Sequence, residues 1–183
     1  MYFCEYNLIV MKEQGLYLPE FESANCGAGF ICNLNGEKSN IIIHNALEIL
    51  VKLEHRGAVS SDGRTGDGAG ILIDIPHDFF KRVCDFIIPP PKEYGVGMVF
   101  LPKSLNQSTY CSSILEEEIN KQGLRIIGWR DVPVDSTNMG EIASETEPII
   151  KQLFVDKNDL ELTDLQFNAK IFAARKIAEH TIS

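Results

Sequence analysis

Two stretches hold the residue types that could do chemistry. One is Asn25-Cys26-Gly27-Ala28-Gly29-Phe30, where small neighbours leave room around a thiol; the other is the glycine-rich run Leu53 to Pro76, LEHRGAVSSDGRTGDGAGILIDIP. A cysteine is intrinsically a strong nucleophile once a neighbouring base or positive charge draws off its proton. An arbitrary cysteine is more often a small buried hydrophobe. What favours chemistry for Cys26 is Gly27 and Gly29, which let other groups come close to its backbone. Arg56 borders the glycine loop, where its guanidinium could lower a thiol pKa or bind a carboxylate, or could simply complement a helix dipole. Between 57 and 70 glycine recurs at 57, 63, 66, 68 and 70, each able to take positive φ or admit a close neighbour. The loop could cradle a phosphate, yet it lacks the Gly-Lys-Ser/Thr ending of a P-loop and the strand-before, helix-after setting of a dinucleotide site. Asp62 and Asp67 read as turn residues, His44 and His77 as unpartnered in sequence, and Glu116-Glu117-Glu118 as a solvated helix face.

The elements that must position these groups follow from periodicity. The segment before Cys26 is poorly patterned and ends in an extended or turning stretch, Leu18 to Ser23. Gly29 to Leu34 alternates as a strand does, and Asn35-Gly36 is a strong turn signal. Ser39 or Asn40 can cap a helix with Ile43, Ala46, Leu47, Leu50 and Leu53 at helical spacing, stopping at Gly57. A strand is expected at 69–75, a helix from Pro76 to Phe86, a strand over 94–101, a helix from Tyr110 to Gln122 ended by Gly123, and strands over 124–132 and 148–155. Thr163 can cap a closing helix that reaches His180 with Leu165, Phe172, Ala173 and Ile177 inward. Alternating strands and helices would ordinarily mean a parallel α/β sheet.

Composition limits the function classes. A chain of 183 residues with 44% hydrophobic content can bury a sizeable core. A net charge of -9 with no compensating basic stripe disfavours nucleic acid or an anionic membrane surface as partner. No apolar run approaches the roughly 20 residues that span a bilayer, and the N-terminus has no basic start or small-residue cleavage pattern, so a cytoplasmic protein is expected. Cysteines at 4, 26, 32, 84 and 111 form an odd set without a Cys-x-x-Cys pair, which argues against a disulfide framework or a structural zinc site.

Leu16-Tyr17 with Pro19, then Cys26-Gly27-Ala28-Gly29-Phe30, then LEHRGAVSSDGRTGDGAGILIDIPHDFF closely resemble the start of glutamate synthase large chains, with a weaker continuation to Ala173-Ala174-Arg175-Lys176. The resemblance implies a class II glutamine amidotransferase domain of the N-terminal-nucleophile type: an α+β fold, a four-layer α/β/β/α sandwich with largely antiparallel sheets. It implies a propeptide over 1–25 and the amidotransferase portion over 26–183, with Cys26 as nucleophile and Arg56 near the thiol as a substrate-binding residue. L-glutamine is then the substrate, and the ammonia released serves the reductive amination of 2-oxoglutarate to glutamate. Members of this family continue well past the length of this sequence. There they supply an Asn-Gly oxyanion hole, an arginine and an aspartate for the glutamine backbone, and the regions that bind FMN and an iron–sulfur cluster. None of those is identifiable here, so no cofactor is expected on these residues. The chain is expected to be an N-terminal piece, incomplete at its C-terminal side and inactive alone, whose partners are the remainder of the large chain and a reductase subunit. A stand-alone subunit completed by another polypeptide, and a non-catalytic remnant, remain as alternatives.

Overall fold

A computed structural model describes residues 27–182, which divide into two compact units: 75–135 with 147–182, and 27–74 with 136–146. The first unit is built on a three-stranded sheet of β1 (Tyr94–Leu101), β2 (Arg125–Asp131) and β3 (Ile149–Asp156) in the order β1-β3-β2. Both outer strands run antiparallel to β3, with Tyr94 opposite Asp156 and Leu101 opposite Ile149 along β1. The class is therefore α+β, and the parallel sheet suggested by alternation is wrong. The strand inserted between β1 and β2 is the last of the three in sequence, so the helical crossover joins strands that never pair.

Of the helices, α1 spans Asn40–Lys52, α2 His77–Val83, α3 Leu105–Lys121, α4 Glu141–Glu145 and α5 Asp164–Ile182. Side chains alternate across the sheet. Val99, Leu101, Leu153 and Val155 lie on the face covered by α3 and α5, which contribute Cys111, Leu115, Ile119, Phe167, Ala174 and Ala178 to the same core. Tyr94 and Phe154 point to the other face, where Phe80 of α2 and Phe86 meet them. Phe154 is wholly buried, its ring edge-on to Phe80 at 5.0 Å and to Phe86 at 5.1 Å. Burying a side chain of this size contributes about 1.5–3 kcal/mol, so these two small clusters carry much of the unit's stability.

The ends of α5 and α3 are each held by side chains. Thr163 and Gln166 form a capping box: the Thr163 hydroxyl oxygen accepts from the Gln166 N–H at 3.3 Å, and Gln166 Oε1 accepts from the Thr163 N–H at 2.9 Å. Lys170 Nζ donates to the carbonyl of Gln122 at 2.6 Å, just beyond the C-terminus of α3. Arg125, at the start of β2, donates through Nε and Nη2 to the Asp156 carboxylate at the end of β3, the shortest contact being 2.5 Å.

Several expected elements are corrected. Residues 29–34 form no strand; the chain there is irregular up to a turn in which the Gly36 N–H reaches the Asn33 carbonyl. Residues 69–75 form no strand; Leu72 there is fully exposed, and the Asp74 carboxylate pairs with Lys38 at 2.9 Å. The second helix ends at Val83 rather than Phe86, and the third begins at Leu105, ahead of Tyr110. The inward residues of α5 are Phe167, Ala174 and Ala178, while Leu165, Phe172 and Ile177 face outward. Close approach of α5 to the sheet goes with this: a Cβ on Gly95 would lie 3.0 Å from Ile171 and 3.7 Å from Phe167, so the glycine on β1 leaves room for the side of α5 that carries Phe167, Ile171, Ala174 and Ala178. Nor is the triple-glutamate segment a solvated face. Glu118 is buried and paired with Lys121 at 2.8 Å, and Glu116 accepts from the Trp129 indole at 2.6 Å.

Candidate active site

The candidate chemistry lies in the second unit. Cys26 and the segment 1–25 fall outside the described residues, and the description begins at Gly27. Helix α1 starts as its sequence requires, with Ser39 as N-cap accepting from the Ile41 N–H at 3.2 Å. It ends at Lys52 and tightens into a 3-10 turn, Glu54–Arg56, before Gly57 leaves in an extended conformation. The stop expected at Gly57 is thus observed, with His55 and Arg56 in the last turn.

The residues following position 26 run against the C-terminal part of α1. A Cβ on Gly27 would sit 3.0 Å from Leu53, and one on Gly29 only 2.6 Å from Ile49. The backbone next to Cys26 therefore lies against Leu53, three residues before Arg56. Arg56 itself is exposed; its N–H donates to the Leu53 carbonyl at 2.8 Å, and no side-chain hydrogen bond or ion pair engages its guanidinium among the described residues.

The loop after Arg56 is a pinned hairpin rather than a floppy linker. Val59 and Gly66 form an antiparallel bridge, the Ser60 N–H reaches the Thr65 carbonyl at 2.7 Å, and the Asp67 carboxylate accepts from the Ala58 N–H at 2.9 Å. Positive φ occurs at Gly63 and Gly68 but not at the other three loop glycines. Asp62 does what a turn aspartate does, accepting through Oδ1 from the N–H groups of Arg64 at 3.0 Å and Thr65 at 2.8 Å. Its second oxygen accepts from the Thr65 hydroxyl at 2.6 Å and from the Ile142 N–H at 3.4 Å. The Thr65 hydroxyl, then, together with these N–H groups, holds the Asp62 carboxyl well below the usual carboxylate range.

Sequence reasoning missed the other half of this contact. Helix α4 has no capping side chain of its own, since Gly140 occupies its N-cap. Its N–H groups at Ile142 and Ala143 are taken instead by Asp62 Oδ2 and, at 3.2 Å, by Thr65 Oγ1. Gly140 is required there: a Cβ would fall 2.5 Å from Asp62 Oδ2 and 2.6 Å from the Thr65 N. The cap lies far away in sequence, so no local signal could reveal it.

The histidines play local parts. The Asn40 amide is 3.3 Å from His44 Nε2, and His77 Nδ1 is 3.1 Å from the Tyr94 hydroxyl. Among the described residues no group of three or more His, Cys, Asp or Glu side chains could hold a metal ion, and no helix is long and apolar enough to cross a membrane.

Comparison with known proteins decides the family. The family model for glutamine amidotransferases class-II matches residues 26–183, beginning at the cysteine itself. The chain belongs to the class II glutamine amidotransferases. Over 170 residues it is 39% identical to the glutamate synthase [NADPH] large chain of Bacillus subtilis (strain 168), covering 92% of this chain and 11% of that one. The glutamate synthase [NADH] of Saccharomyces cerevisiae is 40% identical over 182 residues, and the glutamate synthase [NADPH] large chain of Azospirillum brasilense 37% over 179. These alignments cover 93% and 96% of this chain. The chain spans only 8% to 12% of the length of these curated relatives.

Proposed function

We propose that this chain carries the glutaminase half-site of a glutamate synthase, with Cys26 as the N-terminal nucleophile exposed by removal of residues 1–25 and with 26–183 as part of the amidotransferase domain. The observation that supports this most is the start of the family match at Cys26, together with the packing of the adjacent Gly27 against Leu53, near Arg56. A free α-amine has a pKa of about 8, so near neutral pH it can take the thiol's proton within the same residue. The thiolate adds to the side-chain amide carbon of L-glutamine. The C–N bond then breaks as the α-ammonium returns its proton to the departing nitrogen, leaving a thioester and ammonia. Water hydrolyses the thioester, releasing glutamate and restoring the thiol. Arg56, at the edge of this site, binds the substrate or steadies the thiolate by its positive charge.

The fold this reading implies is the four-layer α/β/β/α sandwich, of which the described sheet with α3 and α5 on one face is one half. The ammonia goes to the reductive amination of 2-oxoglutarate, in nitrogen assimilation and glutamate biosynthesis in the cytoplasm. FMN and an iron–sulfur cluster supply electrons to that second reaction. Cys32, Cys84 and Cys111 are free, and no set of ligands for a cluster converges among the described residues. By the resemblance those groups belong to the remainder of the large chain; that remainder and a reductase subunit are the partners this reading requires. Relatives named for NADPH, NADH and ferredoxin match these residues at 39%, 40% and 34% identity, as expected of a portion that handles no electrons.

The test is direct. In the full-length protein, Cys26→Ala should abolish glutamine hydrolysis, and intact mass with N-terminal sequencing should find a mature chain beginning at Cys26. A fully active enzyme that still carries Met1 to Asn25 would overturn the assignment.

A further inference from the structure

We infer that Asp62 is a positioning residue for the glutaminase site: with Thr65 it bolts the tip of the glycine loop to the first turn of α4, and so fixes where Arg56 is held. The inference rests on the reading of Arg56 as a site residue. The chain of contacts is continuous within the second unit. The Asp62 carboxylate accepts from the N–H groups of Arg64 and Thr65, the Thr65 hydroxyl and the Ile142 N–H; Thr65 Oγ1 in turn accepts from Ala143. Thr65 is joined to Ser60 at 2.7 Å, Val59 is bridged to Gly66, and Asp67 ties down Ala58, two residues after Arg56.

A turn aspartate serving only its own loop would need one oxygen. Here the second oxygen accepts from the Thr65 hydroxyl at 2.6 Å and also, at 3.4 Å, from the Ile142 N–H of a helix start 80 residues on, and the Gly140 backbone comes so close that no side chain fits between. The α4 N–H groups are thereby taken up by protein, and the loop stem gains an anchor outside itself. Without it, the segment 57–68 keeps only the bonds within its own hairpin, and the residue at its mouth is freer to shift. A displacement of a positioning group by about 1 Å can cost on the order of 10²-fold in rate.

The discriminating substitution is Asp62→Asn, which keeps one acceptor oxygen for the turn but sets an NH2 group against the Ile142 N–H. Hydrogen exchange on the full chain should show faster exchange in both 57–68 and 141–145, with β1, β3 and α5 unchanged. Kinetics on the full-length protein should show a loss of glutamine kcat/KM of roughly tenfold or more, absent when Asp62→Asn is added to Arg56→Lys, because Asp62 acts through Arg56. A purely structural role would multiply the two losses. Equal fold-losses in both backgrounds, or faster exchange in 57–68 alone, would overturn the inference. If Arg56→Lys by itself leaves turnover unchanged, the functional reading of Arg56 fails, and Asp62 then cannot act through it, whatever the exchange shows. Should Asp62→Asn fail to fold, Thr65→Val removes the hydroxyl half of the anchor and is held to the same outcomes.

Discussion

Gly128 and Phe86 offer a sharp test of how the first unit is packed. The register of β2 against β3 shifts between Ile126 and Gly128, and Gly128 then pairs with Phe154. A Cβ at position 128 would lie 2.6, 2.7 and 3.1 Å from three atoms of the Phe86 ring. Ordinary carbon contacts are about 3.5–4.0 Å, so the overlap is close to 1 Å. The ring cannot retreat freely, because it is held edge-on to Phe154 at 5.1 Å. Overpacking of this kind costs about 1–3 kcal/mol, and alanine recovers roughly 0.5–1 kcal/mol relative to glycine in a strand, which leaves Gly128→Ala destabilising by up to about 2.5 kcal/mol. In a Phe86→Ala background the space is empty and the same substitution should be neutral or slightly stabilising, giving a coupling of at least about 1 kcal/mol. The assay is urea unfolding of the full chain, followed by the fluorescence of its single tryptophan, Trp129, next to the substituted position, and by circular dichroism. Midpoints are compared at constant m. An equal effect in both backgrounds would refute the claim that Phe86 occupies that space.

Two further outcomes are expected. Arg56→Lys in the full-length protein should lower glutamine turnover by about tenfold or more, since lysine keeps the charge but loses the planar fork, with the urea midpoint unchanged; equal turnover would return Arg56 to a helix-dipole role. Cys111 is buried on the sheet-facing side of α3, and burial pushes its thiol up, so in the native chain it should resist thiol reagents that modify exposed Cys32. Because the raised value belongs to the folded state, stability is full below the ordinary thiol range, near pH 8.5, and declines as pH rises beyond it, where the unfolded thiol ionises. Labelling of Cys111 as fast as Cys32 at neutral pH, read by peptide mass, would contradict this.

Local sequence determined more of the helices than of the contacts between them. Ser39 ahead of an apolar repeat, Thr163 ahead of Gln166, and Gly57 or Gly123 at helix ends act through neighbours a few residues away, and the structure shows each doing so. The assignments proposed for Cys26 and Arg56 rest on residue types, spacing and resemblance. Strand pairing was not, because alternation along a strand carries no information about direction. Only the docking of β3 between β1 and β2 made the sheet antiparallel, and residues 69–75, apolar enough to read as a strand, form none. The inward face of α5 was misread because apolar residues lie on more than one side of that helix, and only docking selected the side with Phe167, Ile171, Ala174 and Ala178, Gly95 leaving room for Ile171. The anchor at Asp62 is the clearest case. A carboxylate among glycines looks like a turn from either side of it, and its role in capping α4 exists only once the chain has brought residues 62 and 142 together.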